Sequence, residues 1–134
     1  MTRSNAANNN TRFHFVALSH VNVTVPTDAE AAAKNFYGTV LGLRELPKPA
    51  GTRQNLGAWY ELGDVQLHLS VEENANNAAS DRHVCYLVAD VAKAQRYLLD
   101  SGVEIISDPR PIAGVNRFYV RDPGGNRLEI AQAV

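Results

Sequence analysis

The chain has 134 residues, 45% hydrophobic and 20% charged, which is enough to bury one core and ordinary for a protein that folds in water. A formal net charge of −1 with scattered Arg and Lys gives no electrostatic footing for nucleic acid or an anionic membrane, and no apolar run reaches spanning length. The single cysteine, Cys85, excludes an intrachain disulfide.

Residues 1–14 read as a polar, Asn-rich, disordered leader without the apolar core of a signal peptide, so a cytoplasmic location is expected. His14 falls in this stretch and reads as a surface residue. From Val16 to Val25 the chain alternates. His20, Asn22 and Thr24 share one face, and Val21, Val23 and Val25 share the other, as in a strand with one buried side. Pro26 ends it. Thr27 and Glu30 have the spacing of a capping box for a helix carrying Ala29, Ala32, Ala33, Phe36, Tyr37 and Val40 on one stripe, closed by Gly42. A strand over Leu43–Leu46 follows. Ala58–Leu62 and Val65–Val71 then form a hairpin around Gly63-Asp64, with Gln66, His68 and Ser70 on one face. The polar stretch Glu72–Asp81 suits a linker.

The plan then repeats. His83, Cys85 and Leu87 alternate with Val84, Tyr86 and Val88. Asp90 caps a helix with Val91, Ala94 and Leu98 on its apolar face, and Ser101-Gly102 ends it. Val103–Ile106 reads as a strand. Arg117–Arg121 and Arg127–Ala131 form a hairpin around Asp122-Pro123-Gly124-Gly125-Asn126, where Asp122 and Asn126 read as turn chemistry. Matching positions recur about 60 residues apart, the length of a supersecondary module. The expected architecture is therefore α+β: one domain over residues 15–134, with module 1 at about 15–72 and module 2 at about 82–134. Each module reads β-α-β-β-β, and together they form a cup-shaped, curved mixed sheet with helices outside.

Four potential metal ligands sit at matched places: His20 and His68 in the first module, His83 and Glu129 in the second. All lie on the less apolar strand faces. Imidazole and carboxylate suit a divalent Ni, Zn, Fe, Mn or Co ion, which would act as a Lewis acid on a small oxygenated substrate, with Glu129 and His68 as the catalytic candidates. Any one histidine on a strand is more often a hydrogen-bonded structural residue; the agreement of all four with the repeat is what favours a site. His68 could equally line the pocket as a base. Trp59, Tyr119, Arg117 and Arg121 are weaker candidates for the pocket wall, the two arginines as contacts to an anionic group. Cys85 reads as a small filler, and Tyr60 as packing.

The segments Leu18-Ser19-His20-Val21-Asn22-Val23, Asn35-Phe36-Tyr37-Gly38-Thr39-Val40-Leu41-Gly42-Leu43 and Phe118-Tyr119-Val120-Arg121-Asp122-Pro123-Gly124-Gly125-Asn126-Arg127-Leu128-Glu129 resemble the vicinal oxygen chelate superfamily. That superfamily contains glyoxalase I, extradiol dioxygenases and the fosfomycin and bleomycin resistance proteins. The nearest likeness is to its short, generic glyoxalase-like members, and it covers Val16 to Ala133. The resemblance implies paired modules around a divalent metal, with His20, His83 and Glu129 on the family's ligand positions. His68 stands where glyoxalase I has a Glu, which leaves Glu129 as the carboxylate able to move a proton. The resemblance further implies a homodimer with shared sites, His20 and His68 from one chain and His83 and Glu129 from the other. The implied activity is that of a glyoxalase-like isomerase or lyase. The alternatives are an Fe(II) extradiol-type dioxygenase and a non-enzymatic drug- or metabolite-binding protein of the bleomycin-resistance kind.

Overall fold

The computed structural model describes residues 12–134, so most of the expected leader lies outside the described residues. Two sheets carry the fold. The first holds β1 (His20–Val25), β2 (Glu45–Leu46), β3 (Ala58–Leu62) and β4 (Val65–Val71) in the order β1-β4-β3-β2. The second holds β5 (His83–Val88), β6 (Arg117–Arg121) and β7 (Arg127–Gln132) in the order β5-β7-β6. Two short helices, α1 (Glu30–Asn35) and α2 (Val91–Asp100), complete an α+β fold. No helix among the described residues is long and apolar enough to cross a membrane.

The duplication persists in the pairing. In each module the first strand runs parallel to the last, with His20 opposite Gln66 and His83 opposite Arg127. The hairpin partner is antiparallel in both, so Trp59 meets His68 and Tyr119 meets Glu129. Alternate residues point the other way and form one core, in which Val25, Tyr37, Tyr60, Leu67, Val120 and Leu128 are the largest fully buried side chains. Each such aliphatic side chain contributes about 1.5–3 kcal/mol by leaving water.

Three local expectations change. The strand expected from Val16 begins only at His20, because its neighbour β4 turns back at Gly63-Asp64 and offers no partner upstream. The strand expected over Val103–Ile106 shrinks to one bridge between Ile106 and Tyr119; beyond it Pro109 and Pro111 lack the N–H a ladder needs. The Thr27–Glu30 capping box does not form. A 3₁₀ turn at Thr27–Ala29 precedes α1, the Thr27 N–H donates to Glu73, and the Glu30 carboxylate instead accepts from the Gly57 N–H. Asp90 does cap α2, accepting from the Lys93 N–H at 3.0 Å. After α1 the chain widens into a π turn over Phe36–Val40 that buries both Phe36 and Tyr37. It closes at Gly42, whose φ of +73° only glycine adopts freely.

Asp122 joins the modules. Its buried carboxylate accepts from the Tyr37 hydroxyl at 2.6 Å, from the Gly124 and Asn126 N–H groups at 2.9 Å each, and from the Asn126 amide at 3.0 Å. Asn126 and Asn77 both donate to the Thr24 carbonyl at the end of β1. Gly124 packs so closely on Val25 that an added Cβ would lie 2.3 Å from its Cγ1. The residues read as simple turn chemistry therefore also bind the second module to the first.

Candidate metal centre

On the polar face of the first sheet, strand register lines up Trp59 and His68 across the hairpin. Their rings stack at 3.8 Å between centroids with 5° between planes. His20 lies 4.1 Å from His68 at 18°, so His68 is stacked between indole and imidazole. Gln66, two residues along the same face, holds His68 Nε2 at 2.8 Å through its Oε1. With Nε2–H donating to that oxygen, Nδ1 carries the lone pair. Ser19 Oγ lies 3.1 Å from His20 Nδ1. Burial first, then the neighbouring His20 and Lys48, push the His68 pKa below its usual value and favour the neutral ring a metal requires. Stacked rings hold their lone pairs in separate, nearly parallel planes, however. For both to meet one ion, one ring must turn.

The second sheet presents a different geometry. His83 Nδ1 lies 2.8 Å from the Asp81 carbonyl oxygen, which can only accept, so Nδ1 carries the proton. The other ring nitrogen, Nε2, faces Glu129 Oε1 at 3.1 Å. With Nδ1 protonated, Nε2 and Oε1 are two acceptors facing one another, an arrangement that a cation between them, a proton or a metal ion, satisfies. Two neighbouring N and O ligands on one octahedral ion are separated by about 3 Å. The residues therefore fit a divalent metal, and the backbone-held Nδ1 is the outer contact that metal-binding histidines ordinarily have. Glu129 is only 8% exposed. Its second oxygen lies 3.4 Å from Arg117 Nη1, and Arg117 is held in turn by Asp108 at 2.8 Å and by the Arg110 carbonyl at 3.1 Å. One carboxylate oxygen is thus anchored, and the other is turned to His83.

Tyr119 sits edge-on to His83 at 5.8 Å, and the Arg127 guanidinium lies 4.0 Å above the Tyr119 ring centroid. Cys85 pairs with Glu129 in register. Cys85 is exposed rather than a core filler, and its thiol is pushed up to about 11 by partial desolvation first and by the Glu129 carboxylate second, so it stays protonated at neutral pH. Tyr60 is core, its hydroxyl pushed up to about 12 by burial. Arg121, considered for the pocket wall, donates to the carbonyls of Asn77, Ser80 and Gly125 and braces the loop that carries the module junction. His14 is exposed.

The four candidate ligands thus fall into two pairs, His20 with His68 and His83 with Glu129. Among the described residues no three His, Cys, Asp or Glu side chains come together as one metal-binding group. Sequence reasoning missed Asp108, Asp81 and Arg127 as neighbours of the site. Arg127 alternates in step with Glu129 and could have been found by strand parity. Asp81 and Asp108 lie in loops without periodicity.

The sequence model of the Glyoxalase/Bleomycin resistance protein/Dioxygenase superfamily matches residues 17–130. Among solved structures, a protein from Bacillus anthracis assigned to the glyoxalase family is 35% identical, with a TM-score of 0.80 over 92% of this chain and 99% of that one. A lactoylglutathione lyase from Agrobacterium tumefaciens is 21% identical, with a TM-score of 0.67 over 87% and 93% of the two chains. A genomically encoded fosfomycin resistance protein from Listeria monocytogenes is 14% identical, with a TM-score of 0.71 over 90% and 94%. At the last two identities the likeness is one of fold. No curated protein matches.

Proposed function

Because this chain belongs to the Glyoxalase/Bleomycin resistance protein/Dioxygenase superfamily, we propose that it is a metal-dependent enzyme acting on a small oxygenated substrate, a glyoxalase-like isomerase or lyase. One observation carries this reading: His83 Nε2 and Glu129 Oε1 face each other at 3.1 Å, with the ring proton already held by Asp81. His20, His68, His83 and Glu129 would hold the ion, whether Ni, Zn, Fe, Mn or Co. When bound, it would polarise a substrate carbonyl or hydroxyl and stabilise enediolate-like charge. Glu129 is the one carboxylate of the set and would be the group that takes up and returns the substrate proton. Arg117 holds Oε2 still while it does so. Trp59 and Tyr119 wall the two faces.

The separation of the ligands into pairs supports a homodimer in which each centre takes His20 and His68 from one chain and His83 and Glu129 from its partner. Apolar side chains await cover in the isolated chain: Phe15 is 91% exposed, and Leu18 and Leu87 are also exposed. The stack over His68 favours a second reading. If His68 stays between Trp59 and His20, the ligands reduce to two His and one carboxylate, the set of Fe(II) dioxygenases.

Reconstitution with each metal and elemental analysis should give about one ion per chain. Loss of all metal after reconstitution would leave a metal-free drug- or metabolite-binding protein instead. Mixing the separately inactive variants His20→Ala and Glu129→Ala should restore one intact centre per mixed dimer. A centre contained within one chain would give no recovery.

A further inference from the structure

We propose that the cavity beside His83 is an oxyanion subsite, and that Arg127 grips a carboxylate, phosphate or phosphonate group at the far end of the substrate. This rests on the functional reading above and adds the class of substrate to it. The cavity encloses about 390 Å³, within the range of small-ligand pockets, and opens between Asp81, Asp108, Arg110 and the polar face of β6 and β7. Two arginines from that face enter it, and they are in different states. Arg117 is committed to Asp108, the Arg110 carbonyl and Glu129. The Arg127 side chain makes no hydrogen bond among the described residues, although it is only 15% exposed.

Among the described residues the one ion-pair partner of Arg127 is Asp81 at 3.7 Å, whose side chain is 95% exposed. That distance is beyond a charge-assisted hydrogen bond, and so exposed a partner adds little. No Arg127 nitrogen is among the buried polar atoms that lack a partner, so its donors remain open to an anion entering the cavity. The Arg127 Cζ lies 4.0 Å from the Tyr119 ring centroid, a cation–π contact rather than a hydrogen bond, in the wall of the cavity. The Arg110 side chain, exposed at the rim, adds a second cation. Of the acids, Asp108 is matched by Arg117 and Asp81 lies in solvent. Arg127 stands two residues from Glu129 on the same strand face and directly opposite His83 in register. An anion held there places the rest of the molecule over the His83–Glu129 pair, so the substrate carries chelating oxygens at one end and an oxyanion at the other.

Calorimetric titration of the metal-free full chain with inorganic phosphate, and separately with succinate, tests this. At least one anion should bind saturably. Arg127→Gln should weaken it at least tenfold, and Arg53→Gln, outside the cavity, should leave it unchanged. The tighter anion identifies phosphate or carboxylate as the natural group. In the wild-type chain, phosphate should also protect Arg127 but not Arg53 from phenylglyoxal, read by peptide mass spectrometry, which frees the test from the folding of any variant. Absence of saturable binding, wild-type affinity in Arg127→Gln, or unprotected Arg127 would each overturn the subsite. Because no metal is present, failure here with metal binding intact removes only the subsite. Anion binding without metal binding removes only the chelation reading.

Discussion

The two modules share a backbone register and differ in what holds their polar faces. In the first, aromatic contact dominates: Trp59, His68 and His20 form a three-ring stack, with Gln66 fixing one ring nitrogen. In the second, charge dominates: Asp108, Arg117 and Glu129 form a chain of ion pairs that ends at His83, and Arg127 lies over Tyr119. Parallel pairing of the first and last strands places two side chains per module at one spot, whatever their chemistry. The duplicated fold therefore supplies positions, and the residues on neighbouring strands decide whether a position is a stacked ring or an aimed carboxylate. The second module is the better prepared for a cation, since its donors already converge.

Both faces depend first on the modules being held together. Asp122→Ala removes a buried carboxylate and strands the Tyr37 hydroxyl. It should cost about 3–5 kcal/mol, measured by urea unfolding. The asymmetry between the faces comes next. Glu129→Gln should weaken metal binding on the order of 100-fold, and His68→Ala only about tenfold, by equilibrium dialysis. Equal losses would mean that the stack opens and both modules contribute alike. Gly124→Ala tests the junction without touching either pair. The forced contact with Val25 should cost about 1–3 kcal/mol of stability and leave metal affinity per folded chain unchanged.

Trp59 is the single tryptophan, so in the metal-free chain its emission reports the stack on His68. His68→Ala should change that emission and Glu129→Gln should not. The smallest effect is of pH on the metal-free chain. The folded state holds His68 neutral below its ordinary value of 6.5, so the unfolded chain takes up the proton first. Stability is full above about pH 6.5 and falls as pH drops through the window beneath it. His68→Gln should flatten that slope in thermal melts.

Much of the fold was legible because it follows from alternation and turn chemistry. β3, β4 and α2 lie where Gly63-Asp64, Asp90 and Gly102 place them. The short ends were not legible, because a strand ends where its partner does: β1 starts late for want of β4, and Ile106 keeps one bridge. The helix cap failed because two distant groups, Glu73 and Gly57, competed successfully for its members. Of the site, parity placed all four candidate ligands on polar faces, and it could have placed Arg127 beside them. No periodicity could have shown that Arg121 braces a loop while the Arg127 side chain has no hydrogen-bond partner among the described residues.

Amino-acid order alone determined the doubled module, the faces of its strands and the family, because each rests on spacing along one chain. Which side chains meet rests on distances between segments far apart in that chain. Only the tertiary structure stacked His68 between two rings, turned Glu129 toward His83, and joined the modules through Asp122. Those contacts depend on where a loop or a second sheet comes to lie, and local pattern carries no record of that.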